Sequence, residues 1–383
     1  MSDNKKVKKG IAGKIITGIF AAVVLVSVAL YAADYIIYQG LYKQIENYPA
    51  ASESGIPAPE KDKNGEWTFT SDRELKILYL SNIHLGCGAF SVKEDRKTLD
   101  RIADAVYSQK PDIIVLSGDT GYQSSFRSGN PNNKSGIKTV INLMEHLGIY
   151  WAPAIGEYDS KPYSFYNADY ISSLFSDEEM KYCLYTEGPK SVDGHGNYFI
   201  HIKDSSGKLV KELAFLDTHA YTDDNLFETE NAQTGLHSNQ IRYYKERIDE
   251  VRKENPQAGV LVFLDLPPYE MREACAAYLE NGNKDTADVR YINGEVNEEE
   301  PFVNCSENKD VFFQVASEAG GLQGIFFAHD NNSISLNYNG IDLNYNLSAG
   351  DFPEIENRNQ LGYSVIILKP DGSYEMQKIN TEK

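Results

Sequence analysis

The longest uninterrupted apolar stretch in the chain comes first. Ile15 to Ala33 runs for 19 residues without a charge, and at about 1.5 Å rise per residue it nearly crosses a hydrocarbon layer of about 30 Å. Tyr35 to Glu74 is polar and broken by Pro49, Pro57 and Pro59, which reads as a tether that becomes ordered where a globular part begins. After it, apolar runs alternate with amphipathic stretches. Leu75 to Leu80 predicts a strand, and Leu99, Ile102, Ala105 and Val106 recur at helical spacing within a helix over Lys93 to Gln109. Ile113 to Leu116 follows Pro111 and does not alternate, as expected of a parallel strand covered on both faces. A helix over Ser135 to Leu147 and a strand over Ile149 to Ile155 complete an alternating order, which indicates βαβ units and a mainly parallel sheet.

The pattern continues with strands over Asn197 to Ile202 and Leu209 to Leu216, a helix over Leu236 to Lys253 and a strand over Gly259 to Leu264. Helices follow over Tyr269 to Leu279 and Val311 to Ala319, then a strand over Leu322 to Phe327. Asn339-Gly340 and Asp371-Gly372 each lie between two strand-like runs and predict hairpins, because Asn-Gly and Asp-Gly accept the positive φ of tight turns. Asn281 to Asn308 is acidic and Asn-rich and reads as a surface insertion.

Charge orients the first segment. Lys5, Lys6, Lys8, Lys9 and Lys14 precede the apolar run, and lysines favour the cytoplasmic side, so the remainder is expected to be exported. The organisation that follows is a basic cytoplasmic tail (1–14), a transmembrane anchor (15–37), a linker (38–70) and one large domain (71–383). The protein is then a single-pass cell-membrane protein with an extracytoplasmic C-terminal domain. A cleaved signal peptide is the rival reading of the same run, although Leu30 and Ala32 make a poor cleavage site. The chain carries a formal net charge of −19. Because its first residues are basic, the domain itself is more acidic still, which repels phosphate backbones and argues against a nucleic-acid partner. Cys87, Cys183, Cys275 and Cys305 are far apart and form no CxxC pair, so zinc-finger spacing is absent.

Candidate chemistry sits where the strands end. The strand runs lead into Ser81-Asn82-Ile83-His84, Ser117-Gly118-Asp119, Gly156-Glu157-Tyr158-Asp159, Asp265 and Ala328-His329-Asp330-Asn331. In an open α/β sheet such positions converge at the carboxyl edge, where ligands bind. His219, after Asp217, is placed to line the same pocket, whereas His195 reads as part of a turn and His237 as a helix start. No phosphate-binding glycine loop and no nucleophilic serine or cysteine motif is present.

The order and spacing of these blocks resemble the calcineurin-like metallophosphoesterases, particularly their purple-acid-phosphatase-like branch. The family pattern is Asp-x-His, Gly-Asp, Gly-Asn-His-Asp, a lone His and Gly-His-x-His, and the resemblance runs from about Leu75 to Leu368. It implies an α/β fold, a four-layer αββα sandwich preceded here by one transmembrane helix, with two metal ions at the strand ends and a hydroxide that attacks phosphorus.

The departures from the pattern shape the expectation. Asn82 replaces the first aspartate, Glu157-Tyr158 replaces Asn-His, Asp265 replaces the lone histidine and Asn331 replaces the last one. By analogy one metal would face Asn82, His84, Asp119 and Asn331, a set weakened by two neutral amides. The other would face Asp119, Glu157, Asp265 and His329, which offers three carboxylates and an imidazole. This predicts one hard divalent cation, Mg²⁺, Mn²⁺ or Ca²⁺, rather than a two-metal centre. His84, Asp119 and Tyr158 are the candidate catalytic residues, with Tyr158 able only to donate a hydrogen bond.

Two readings of activity stay open. One is a weak metal-dependent phosphoesterase acting on an unidentified phosphorylated small molecule. The other is a non-catalytic module that binds a surface ligand, with tyrosines such as Tyr122, Tyr163, Tyr166, Tyr170, Tyr338 and Tyr345 around its rim.

Overall fold

The computed structural model describes residues 3–51, 55–63, 65–122, 124, 126–161, 164–219, 235–296, 303, 305, 309–329, 332–351 and 358–382, with side chains described from residue 16 onward. Helix α1 spans Asp3–Glu46. Its stretch Ile16–Glu46 has mean hydropathy 2.3 over its most apolar window and is long enough to cross a membrane. Ile16, Phe20 and Leu25 on it are 67%, 68% and 69% exposed, which separates it from a core helix. The architecture is that of a single-pass membrane protein with an extracytoplasmic domain.

Short strands β1 (Glu60–Lys61) and β2 (Trp67–Thr70) follow. Next come β3 (Leu75–Leu80), α2 (Val92–Gln109), β4 (Ile113–Ser117), α3 (Asn133–Leu147), β5 (Tyr150–Ala154) and α4 (Ala168–Phe175). The second half holds β6 (Tyr198–Lys203), β7 (Leu209–Phe215), α5 (Ser238–Glu254), β8 (Gly259–Phe263), α6 (Tyr269–Glu280) and β9 (Val289–Asn293). It ends with α7 (Phe312–Ala319), β10 (Leu322–Phe327), β11 (Ser335–Tyr338), β12 (Ile341–Tyr345), β13 (Gly362–Leu368) and β14 (Tyr374–Asn380).

The strands form two mixed sheets, in the orders β14-β13-β3-β4-β5 and β1-β2-β6-β7-β8-β10-β12-β11-β9. Within the first, β3, β4 and β5 run parallel and β13 pairs antiparallel to β3. Within the second, β7, β8, β10 and β12 run parallel. The sheets face each other. The Tyr79 ring of β3 meets the rings of Phe263 on β8 and Phe326 on β10 at 5.6 and 5.8 Å, edge to face. Tyr198 of β6 donates its hydroxyl to the carbonyl of Pro153 on β5, at 2.9 Å. One core lies between the sheets and extends under α2 and α3. A second joins α5, α6 and α7 to the outer face of the larger sheet. The result is the four-layer sandwich that the resemblance implied, with two mixed sheets in place of one mainly parallel sheet.

The main helices and hairpins follow the sequence pattern. Helix α3 starts two residues earlier than its apolar spacing predicts, because the Asn132 side chain caps it by accepting the Lys134 N–H. Asn339 and Gly340 both have positive φ, 52° and 87°, as the two-residue turn between β11 and β12 requires.

Three expectations need correction. The stretch read as a tether is built structure over much of its length: Leu41 and Ile45 of α1 are buried in the main core, and β2 pairs parallel to β6. Gln44 and Tyr48 also hydrogen-bond Asp100 of α2, at 2.8 and 2.6 Å. The acidic insertion contains β9, which pairs antiparallel with β11 and buries Val289 against the second core. Among the tyrosines assigned to a rim, Tyr345 is fully buried on β12, and Tyr163 lies outside the described residues.

Candidate functional site

Strands β3, β4 and β10 deliver the chain into the cleft above the sheet edges through tight, strained turns. Asn82, His84, Asp119 and His329 have φ of 46°, 50°, 50° and 70°, a region that side-chain-bearing residues rarely occupy. Two glycines explain how the turns approach so closely. A Cβ on Gly118 would lie 2.0 Å from Asp265 Oδ1, and one on Gly156 would lie 2.0 Å from the Asp119 nitrogen. The Gly-Asp and Gly-Glu pairs therefore let the β4 and β5 turns and Asp265 crowd into one spot.

Asp119 and Asp265 are completely buried. Asp119 Oδ1 accepts the Tyr158 N–H at 2.7 Å, and Asp265 Oδ2 accepts the Glu157 N–H at 3.1 Å. The other oxygen of each, Asp119 Oδ2 and Asp265 Oδ1, is buried without a hydrogen-bond partner among the described residues. Glu157 sits in a 3₁₀ turn, Glu157–Asp159. Its two oxygens lie 3.0 Å from Lys161 Nζ and 3.7 Å from His329 Nε2. Asp159 does not face the cleft. Its carboxylate accepts the Gly121 and Gly156 N–H groups at 2.8 and 2.9 Å and so ties the β4 and β5 turns together.

Histidine enters from two further strands. His219, after β7, reaches Asp265 Oδ2 at 2.7 Å, and His329, after β10, places Nδ1 3.5 Å from the same oxygen. His219, Asp265 and His329 have ligand-capable atoms all within 4.8 Å of one another. The Asp217 carboxylate receives the N–H groups of His219 and His195, both at 2.8 Å, and holds this turn in place.

The electrostatics follow from this crowding. Burial, then the neighbouring charges of Asp265 and Asp159, push Asp119 well above the usual carboxylate range. Burial opposes ionisation of Asp265 too, but hydrogen bonds from His219 and His329 outweigh it and hold that carboxyl below its ordinary value. Burial works against a charged His219 and is overcome by the Asp265 hydrogen bond, so its pKa is raised. As a pair, Asp265 keeps its charge and Asp119 is driven toward its protonated form unless a cation joins them.

On the opposite wall, burial lowers His84 to about 3, so its imidazole is neutral. Its ring meets Tyr122 and Tyr158 edge-on at 5.4 and 5.3 Å, and those two tyrosines stack at 4.8 Å. Burial pushes the Tyr158 hydroxyl up to about 12, so it remains a donor. Lys161 Nζ sits 3.9 Å over the Tyr158 ring.

Of the predicted site residues, the structure gathers His84, Asp119, Glu157, Tyr158, Asp265 and His329 at one edge, together with buried Asn82. Asn331 lies outside the described residues. The predicted set omitted Lys161, whose one sequence signal is its place four residues after Glu157. His219 is drawn into the centre of the cluster, where the Asp217-Thr218-His219 run after a strand had pointed.

A second partial ligand cluster, Asp62, Glu66 and His201, lies at the other end of the larger sheet. There His201 bridges Glu212 and Glu66 at 2.8 and 3.0 Å, and Arg247 pairs with Glu66. Among the described residues, two incomplete metal-ligand clusters are thus present.

No family model matches the chain. In sequence it is 25% identical over 318 residues to an Arabidopsis thaliana protein described as a probable inactive purple acid phosphatase 14, covering 74% of this chain and 72% of that one. In structure it is similar to a dimetal phosphatase from Danio rerio, with TM-score 0.51 and 13% identity, covering 80% of this chain and 96% of that one. The chain has a calcineurin-like metallophosphoesterase fold, related to the purple acid phosphatases, with altered metal-binding residues.

Proposed function

We propose that the domain holds one hard divalent cation, Mg²⁺, Mn²⁺ or Ca²⁺, and that phosphate-ester hydrolysis on this site is weak or absent. The observation that carries the reading is the pair of fully buried carboxylates, Asp119 and Asp265, each left with one oxygen that no described group hydrogen-bonds. Buried carboxylates of this kind call for a cation between them. Asp119, Asp265 and His329 would hold it, with Glu157 completing the set and His219 orienting Asp265, as outer partners of metal ligands do. When bound, such an ion supplies a Lewis acid for a phosphoryl oxygen.

The chain's own residues do the rest. Neutral His84 offers a ring nitrogen at the cleft wall, 3.9 Å from Asp119 Oδ2. Tyr158 offers a hydroxyl that keeps its proton. Neither replaces the imidazole that the family places beside the leaving group. The second ion's set is weakened at Asn82 and Asn331, and losing that ion removes half of a clamp around the transition state. The plant relative is likewise described as probably inactive.

The test is metal analysis of the full-length chain after dialysis against Mn²⁺, with aryl phosphate turnover measured on the same sample. About one equivalent of metal and turnover far below the usual enzyme range of about 10 s⁻¹ are expected. Two tightly held equivalents, or turnover near 10 s⁻¹, would overturn the reading.

A second reading rests on Lys161. Its ammonium lies against Glu157 and the Tyr158 ring, where it supplies a cation from the chain itself. If it suffices, the cleft with its His84, Tyr122 and Tyr158 rings is a metal-free binding surface for a phosphorylated or other surface ligand. Metal below about 0.2 equivalent, in line with weak occupancy, selects this reading.

A further inference from the structure

The apolar segment and the domain are joined by one continuous helix, and that fixes which face of the domain meets the membrane. Asp34 is the first charged residue after the apolar run, so it marks the level at which α1 leaves the hydrocarbon. Its two carboxylate oxygens accept hydrogen bonds from the Asn130 and Asn132 side chains, at 2.8 and 2.9 Å. Further along α1, Tyr38 accepts from Asn142 of α3 at 2.9 Å, and Leu41 and Ile45 enter the core. The helix is clamped to the domain from the membrane surface upward, not hung from a tether.

Exposed phenylalanines gather at the same level. Outside α1, the large exposed phenylalanines among the described residues are Phe90, Phe126 and Phe165, at 67%, 96% and 67%. Soluble surfaces seldom leave such rings in water as a group. Phe90 donates its N–H to the Ser128 carbonyl at 3.0 Å, and a Cβ on Gly129 would lie 3.0 Å from its ring. Asn130, the residue that grips Asp34, also donates to the Cys87 carbonyl at 3.1 Å. Phe165 precedes Tyr166, whose carbonyl accepts from Asn133 at the start of α3, next to Asn132. Arg127 and Lys93 are exposed beside these rings and suit a headgroup layer, where cationic side chains keep their charge in water.

We propose that Phe90, Phe126 and Phe165 form a bilayer-docking face that seats the domain on the lipid surface around the foot of α1. The occupant is the membrane itself, because the loops that carry the rings are tied to Asn130, Asn132 and Asn133, beside the point where Asp34 of the spanning helix meets the domain. The loops that carry Phe90 and Phe126 begin at the cleft, with His84 and Tyr122. Ligands held at the lipid surface are therefore the ones this site meets first.

The experiment places indole probes in the full-length chain reconstituted in phosphatidylcholine bilayers, with and without bromine on the acyl chains. F90W and F126W are compared with Y291W, whose position is 45% exposed on β9 at the far edge of the larger sheet. The unsubstituted chain gives the background from Trp67 and Trp151. Both tested positions are exposed, so the variants should fold, and F126W alone suffices if F90W does not. Bromination is expected to lower the added emission of F90W and F126W about twofold, as for rings buried roughly 5–10 Å into the interface, and to leave Y291W unchanged. Quenching at F90W and F126W no greater than at Y291W overturns the proposal, whether the rings stay in water or are covered by a second copy of the chain.

Discussion

Two places in this domain bring histidine between buried carboxylates, and they are finished differently. At the outer end of the larger sheet, His201 bridges Glu66 and Glu212, and Arg247 closes onto Glu66. Burial alone would lower His201, but hydrogen bonds to Glu212 and Glu66 more than reverse this and raise it to about 10. The chain has supplied its own cations there. At the strand ends, Asp119 and Asp265 retain bare oxygens, although His219 and His329 both reach Asp265 and His329 also nears Glu157. The comparison teaches that the kinds of residue do not distinguish a structural ion network from a ligand site. The charge left over once every internal partner has been counted does.

Variants can break this comparison. The largest effect is expected from Arg247→Ala, which leaves Glu66 and Glu212 with His201 alone and should cost about 3 kcal/mol, read by urea denaturation; a cost below about 0.5 kcal/mol would place the network with ordinary surface pairs. The same network sets a pH dependence. His201 is raised above its ordinary value of 6.5, so its contribution is fully present below about pH 6.5 and is lost as pH rises through about 10. A chemical-denaturation series over that window should show the loss in the parent chain and not in His201→Gln.

At the strand ends the expected response is in ligand affinity. Asp265→Asn should lower Mn²⁺ affinity at least about 100-fold, beyond the usual effect of an outer partner, and should lower the thermal midpoint of the metal-free chain less than Arg247→Ala does, because relieved crowding around Asp119 offsets part of the lost His219 and His329 bonds. A midpoint drop like that of Arg247→Ala would show the two clusters to be alike after all. His219→Gln removes a group that acts through Asp265 and should weaken Mn²⁺ about tenfold, with a carboxyl titration moved upward in a difference spectrum. Tyr158→Phe should change Mn²⁺ affinity by less than about twofold, since the tyrosine contributes ring stacking to the wall; calorimetry on this variant sharpens the assignment of the two walls.

The sequence made the sheets legible because β3, β4, β5, β8 and β10 are apolar runs ending in short polar blocks, two of which, after β4 and β5, are Gly-Asp and Gly-Glu. Close packing needs those glycines, and the cleft needs those acids. Residues that act through mixed-polarity segments were harder to read. Strands β1 and β9 carry Glu60, Lys61 and Arg290, and β2 is four residues in which Trp67 and Phe69 alternate with threonine, so no apolar run announces them. Ile37, Leu41 and Ile45 do recur every four residues and bury the end of α1, but prolines downstream drew the whole stretch into a tether reading. Lys161 stands four residues after Glu157, the spacing of a helical ion pair, but it pairs there around a 3₁₀ turn that no apolar periodicity announces. Asp119 was legible as the hub; which groups neutralise its neighbours depended on the fold.

The strained turns at Asn82, His84, Asp119 and His329 have one more consequence. Residues with side chains are held there in a conformation suited to glycine, so the scaffold carries the cost of a reactive geometry whether or not the chemistry is present. The altered metal-binding positions depart from the family pattern in side-chain identity and leave these turns in place. If hydrolysis is weak or absent as proposed, its recovery is a matter of side chains and not of the frame: Asn82→Asp, Tyr158→His and Asp265→His together are expected to raise aryl phosphate turnover above that of the parent chain.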